Sequence, residues 1–153
     1  MSKVNHCIVC EGLRPEVGGK STIVGFVGVL PNVKIWIGNL DAPIPQLTFV
    51  FIFAPEKTHL QIRPQIISPE GKPILPIEHT ATIELFDAYA SNVVINMGGF
   101  SFPQAGEYTV QLYSDEAIIF SEKMTVQEGS APPSHEPRYI GEERLINKLP
   151  ANS

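Results

Sequence analysis

Phe100-Ser-Phe-Pro-Gln-Ala-Gly-Glu-Tyr-Thr-Val-Gln-Leu-Tyr-Ser-Asp-Glu-Ala-Ile-Ile-Phe-Ser-Glu-Lys-Met-Thr-Val126 reads as two strands folded back on one another. Pro103 to Gly106 has turn composition and leads into a stretch where Tyr108, Val110 and Leu112 share one face and Glu107, Thr109 and Gln111 share the other. Ser114-Asp115-Glu116 reverses the chain, and a strict alternation then sets Ile118, Phe120, Met124 and Val126 on one side of the return strand. Two period-two patterns joined by a short polar turn predict a hairpin with one apolar side, of the kind that closes an immunoglobulin-like β-sandwich.

Working back from the hairpin, the rest of the chain carries the same signals. Residues 4–10 and 22–29 read as strands separated by a polar loop over 11–19. Residues 47–54 are apolar almost throughout, which suits a central strand covered on both faces. Residues 60–63 alternate, so that strand should have one wet face, and Ser68-Pro69-Glu70-Gly71-Lys72 is a turn by composition. Further short strands are expected at 81–86 and 93–97. Trp36 lies within Val33-Lys34-Ile35-Trp36-Ile37, an edge-strand candidate, while Pro31, Pro43 and Pro45 exclude a long regular element around it. Turn signals every ten residues or so, with no helix-period segment between them, predict an all-β sandwich of about seven to nine strands with a C-terminal extension. The predicted domain spans 1–127, followed by a linker and tail over 128–153.

Composition bounds what such a protein does. At 153 residues the chain suits one domain, and 43% hydrophobic content is enough for a core without disulfides or a metal. A net charge of −5 and a pI near 5.3 argue against nucleic-acid and anionic-membrane surfaces, which need clustered Lys and Arg. No apolar run is long enough to span a membrane, and Asn5, His6 and Cys7 interrupt any secretory pattern at the N-terminus. The expected compartment is the cytoplasm. Cys7 and Cys10, three residues apart on a strand, point to opposite faces and are expected to stay reduced.

Several constellations suggest chemistry and fall short of it. Gly19-Lys20-Ser21 after a strand resembles a phosphate-binding loop, but Arg14 occupies the place of the required first glycine. The chain continues as Ser-Thr-Ile-Val-Gly-Phe-Val-Gly-Val, strand material with no helix to present its amides. His6, Cys7 and Cys10 make a zinc half-site without a second pair of ligands, so buried strand cysteines are the better reading and no metal or other cofactor is expected. There is no Gly-x-Ser-x-Gly nucleophile elbow, and Asp41, Asp87 and Asp115 are the only aspartates, too separated for a calcium loop. The binding candidates are Arg14, Glu16 and Lys20 around the Gly18-Gly19 turn, where the charged residues also suit a bracing role, and Trp36 with Ile35 and Ile37 as a sugar-stacking or partner-binding patch, against which stands the plain reading of a lone Trp as core or edge packing.

Cys10-Glu11-Gly12-Leu13-Arg14-Pro15-Glu16-Val17-Gly18-Gly19-Lys20, with Ile23-Val24-Gly25 after it, resembles a family of small bacterial domains of unknown function whose signature runs Cys-x3-Arg-x-Glu-x-x-Gly-Lys. The likeness extends through the 47–54 strand and the closing hairpin. It implies a single-domain bacterial β-sandwich and brings no catalytic residues with it.

The functional expectation is a non-catalytic binding or assembly module acting on a protein partner or on itself, without nucleic acid or membrane. The alternative is a small hydrolase or metal-dependent enzyme built on the Arg14, Glu16 and Lys20 loop. The tail sharpens the first reading. Pro132, Pro133 and Pro137 keep the linker out of a sheet, whereas Tyr139, Ile140, Leu145, Ile146 and Leu149 supply apolar surface that is worth ordering only if it is buried. Residues 139–149 are therefore predicted to dock on a protein surface, in a homo-oligomer, and removal of the chain after Val126 to leave a folded sandwich that associates less.

Overall fold

The computed structural model describes residues 3–132, so the predicted tail residues Tyr139, Ile140, Leu145, Ile146 and Leu149 lie outside the described residues. Among those residues the protein is all-β, with nine strands: β1 (Val4–Pro15), β2 (Ser21–Val29), β3 (Lys34–Ile37), β4 (Leu47–Phe53), β5 (Thr58–Ile67), β6 (Ala81–Leu85), β7 (Ser91–Met97), β8 (Gly106–Ser114) and β9 (Ala117–Glu128). One sheet has the order β2-β1-β4-β7 and the other β3-β9-β8-β5-β6. The chain begins in the first sheet, crosses to the second at β3, and returns to the first at β4. Among the described residues no helix is long and apolar enough to cross a membrane.

A single core fills the space between the sheets. Cys7 and Val9 of β1 and Phe49, Phe51 and Phe53 of β4 pack from one side; Ile62, Ile66, Tyr108, Val110, Leu112, Met124 and Val126 pack from the other. β4 is the central strand that its composition predicts. It pairs with β1 and β7 at its two edges, and all but one of its seven residues are buried. Tyr108 anchors the closing hairpin as a tyrosine corner. Its hydroxyl donates to the Gln104 carbonyl at 2.6 Å and accepts from the Gln104 amide at 3.2 Å, while its ring meets Phe102 edge-on at 4.9 Å.

Three local expectations need correction. β1 does not stop at Cys10 but runs on to Pro15, because Gly12 to Pro15 find ladder partners in Val24 to Ser21; only the turn itself is loop. β5 likewise extends from Thr58 to Ile67. The third concerns Ile118, which alternation places on the apolar face. β9 bulges at Ile119, since Leu112 faces Phe120 but Tyr113 faces Ile118. One inserted residue inverts every side chain beyond it, so Ile118 is 49% exposed while Met124 and Val126 are fully buried.

Candidate functional site

The β1–β2 turn holds the charged residues singled out in the sequence. Gly18 and Gly19 have φ of 83° and 77°, left-handed conformations that most side chains resist, and they let the Glu16 amide reach the Lys20 carbonyl at 2.8 Å. The Glu16 carboxylate accepts from Arg14 Nε at 2.6 Å and from the Thr22 hydroxyl at 3.0 Å. Ser21 begins β2 directly, so no helix N-terminus faces the turn. The Arg14 and Glu16 side chains are 68% and 38% exposed. An ion pair so open to water is worth at most about 1 kcal/mol, and a substrate held by it would keep most of its hydration. Lys20 is exposed, and it meets Glu16 through its backbone carbonyl and not through the ion pair.

The zinc half-site residues diverge. His6 is exposed, Cys7 lies in the inter-sheet core, and Cys10 is buried outside that core, opposite Thr48. Among the described residues no three His, Cys, Asp or Glu side chains converge to hold a metal ion. Both cysteines are free. Burial pushes both thiols above their ordinary range, Cys7 far above it, which disfavours the reactive thiolate. Neither should react with Ellman's reagent in the native protein at pH 8, and two equivalents should react after urea unfolding. The linked stability has a definite sign. The unfolded chain releases these protons near pH 9, where the folded chain still holds them, so stability should fall as pH rises past about 9. A denaturation series across pH 7–11 checks it.

Trp36 occupies different surroundings. It is half-buried on β3, an edge strand running parallel to β9 with Trp36 opposite Gln127. Lys34 Nζ lies 5.5 Å from the centre of its ring. The strand is locked from behind by bonds from the Thr125 amide to the Val33 carbonyl at 3.0 Å and from the Gly129 amide to the Ile37 carbonyl at 2.8 Å. In front of Trp36, between the β2 edge of one sheet and the β3 edge of the other, an open groove of about 1050 Å³ runs past Leu13, Val24, Phe26, Ile37 and the Pro43-Ile44-Pro45 loop. That loop is tied down by the Ile44 amide on the Phe100 carbonyl at 2.8 Å and the Gly99 amide on the Ile44 carbonyl at 2.9 Å. Ala131 also lines the groove, so the chain leaves the sandwich at this wall.

The structure therefore brings Arg14 together with Glu16, leaves both away from the groove, and sets Trp36 inside it. Phe26 and Val24, exposed at 59% and 44%, are groove residues that the sequence does not single out. The available signal is that β2 is apolar on both faces. An interior strand would bury both, but β2 is an edge and leaves apolar residues of both faces uncovered, Ile23 at 41% beside Val24.

Comparison with known proteins adds a family and no activity. No curated protein matches the sequence. Residues 5–127, the whole of the sandwich but for one residue at each end, match a family of unknown function. The chain belongs to that family, DUF6941.

Proposed function

We propose that the protein is a non-catalytic binding and assembly module whose groove beside Trp36 takes an apolar polypeptide segment. The observation that carries this reading is the groove itself, a large concavity lined by Trp36, Phe26, Val24 and a proline-bounded loop, with strand edges at β2 and β3 that no other strand covers among the described residues. An open groove of this size walled largely by apolar side chains suits an extended polypeptide segment better than a reacting small molecule. A bacterial, cytoplasmic setting with reduced cysteines goes with this reading, as does the Cys10 to Lys20 signature serving as a braced turn.

The occupant assigned to the groove is residues 139–149 of the same kind of chain. Ala131 stands on the groove wall, and eight residues later the sequence reaches Tyr139 and Ile140, then Leu145, Ile146 and Leu149. At about 3.3 Å per extended residue the intervening chain spans roughly 26 Å, enough to enter the groove of its own copy or of a neighbour. The protein has one tryptophan, so its fluorescence reports on the groove alone. In the full chain, Ile146→Glu combined with Leu149→Glu should move Trp36 emission to longer wavelength by several nanometres and increase quenching by acrylamide. Dilution that produces the same shift in the unsubstituted protein assigns the contact to a second copy. An emission unaffected by the double substitution refutes the assignment.

A further inference from the structure

The other side of the sandwich carries a second opening that the groove reading does not use. There β7 ends one sheet and β6 ends the other, and among the described residues no strand pairs with the outer edge of β7. Between them lies a cleft of about 360 Å³ walled by Ile62, Leu75, Ile83, Val93, Ile95 and Met97. Val93, Ile95 and Met97 remain partly exposed, although their ladder partners Phe51, Phe49 and Leu47 are buried. The core is thus incompletely covered along this strand.

Free edges are usually protected by charge, proline, shortness or a bulge. The other three edges of this sandwich have such protection. β2 has a register shift in its ladder, β3 is four residues long and carries Lys34, and β6 is five residues long and carries Glu84. β7 has none of these. It is seven residues with no charge and no proline, and its ladder with β4 is unbroken over seven pairs. On a chain of net charge −5, no charged residue falls between Asp87 and Glu107, so β7 is where two copies approach without like-charge repulsion.

The sequence of the strand names its partner. Asn92-Val93-Val94-Ile95-Asn96 has the same pattern read in either direction about Val94. We propose that β7 pairs antiparallel with β7 of a second copy across a two-fold axis at Val94, joining two four-stranded sheets into one. In that register Asn92 faces Asn96, Val93 faces Ile95, and Val94 faces itself. Apolar residues then continue along the cleft side, and amides able to hydrogen-bond one another meet on the outer side. A two-fold contact of this kind closes on itself and stops at a dimer. It is independent of the tail and of the Trp36 groove.

Sedimentation of the full chain over a concentration series tests the pairing. The unsubstituted protein should show a monomer–dimer equilibrium. Val94→Lys, at a position already 39% exposed, sets two ammonium groups on the axis and should raise the dissociation constant by about tenfold or more, with an unchanged circular dichroism spectrum. The register is tested by two double variants, Asn92→Asp with Asn96→Asp, and Asn92→Lys with Asn96→Lys. Each alone should be monomeric, and mixing them should restore a dimer. Ile146→Glu with Leu149→Glu should leave this equilibrium intact, which separates failure here from failure of the groove assignment. A protein that is monomeric at all concentrations, a dimer indifferent to Val94→Lys, or double variants that do not recombine would overturn the proposal. A monomer whose cleft instead binds an apolar dye such as anilinonaphthalene sulfonate would overturn it in favour of a small-molecule site.

Discussion

Tyr108→Ala should destabilise the protein by about 3–5 kcal/mol, as truncation of a buried aromatic does elsewhere, and Tyr108→Phe by about 1–3 kcal/mol through its hydrogen bonds alone. The ring is fully buried and lies edge-on to Phe102, which lies edge-on in turn to Phe100 at 5.3 Å. Removing it leaves a void bordered by side chains that cannot collapse without moving the Pro103 to Gly106 turn. The hydroxyl contributes differently. It satisfies both the carbonyl and the amide of Gln104, and phenylalanine would leave these two backbone groups without that partner. For a domain whose total stability is on the order of 5–15 kcal/mol, the alanine variant approaches the limit of folding and the phenylalanine variant stays folded with a lower urea midpoint. Urea titration followed by fluorescence and circular dichroism measures both. Equal losses in the two variants would show that the hydroxyl, and not the ring, carries the corner.

The same residues show how much the sequence discloses. β8 is legible because both determinants are local: a turn composition at Pro103 to Gly106, and an alternation that buries Tyr108, Val110 and Leu112. β4 is legible because seven successive apolar or β-branched residues, in a chain without helical periodicity, suit a strand covered on both faces and little else. Alternation misplaces Ile118 because a bulge is one residue of extra backbone, and the pattern carries no mark of where it falls. The length of β1 is hidden for a related reason. Glu11 to Pro15 have poor strand propensity, and their pairing with Thr22 and its neighbours overrides it.

The candidate site is less legible still. Trp36 stands out only as the single tryptophan. What makes it part of a groove is the parallel pairing of β3 with β9, about ninety residues away in sequence, together with the position of the Pro43 to Pro45 loop. Neither arrangement has a local signature. Arg14, Glu16 and Lys20 stand out because charges beside a double glycine resemble functional loops. Their surroundings in the fold, open to water at a hairpin tip, are not encoded in the spacing.

Gln65→Leu should destabilise the protein by about 2–4 kcal/mol, the effect of taking the side-chain partner from three buried backbone groups, and should loosen one wall of the β6–β7 cleft. Gln65 is 3% exposed, which is unusual for an amide side chain. Beyond Ile62, β5 no longer pairs with β6. The chain instead turns at Ser68 to Lys72 and comes back alongside β5, with the Ile74 amide on the Ile66 carbonyl at 2.9 Å. At the next residue the Gln65 amide takes the place of a strand. Its Nε2 donates to the Leu75 carbonyl at 3.0 Å and its Oε1 accepts from the Leu75 amide at 2.9 Å and from the Ile66 amide at 3.0 Å. Leucine matches the volume of glutamine and restores none of these bonds, so the loss is polar and not one of packing. Leu75 lines the cleft, and its amide should exchange with solvent orders of magnitude faster in the variant, at a temperature where the β8–β9 hairpin remains protected. Hydrogen exchange resolved by residue, alongside the urea midpoint, separates this local release from global unfolding. Uniformly faster exchange across both sheets would mean that Gln65 supports the whole sandwich and not the cleft wall alone.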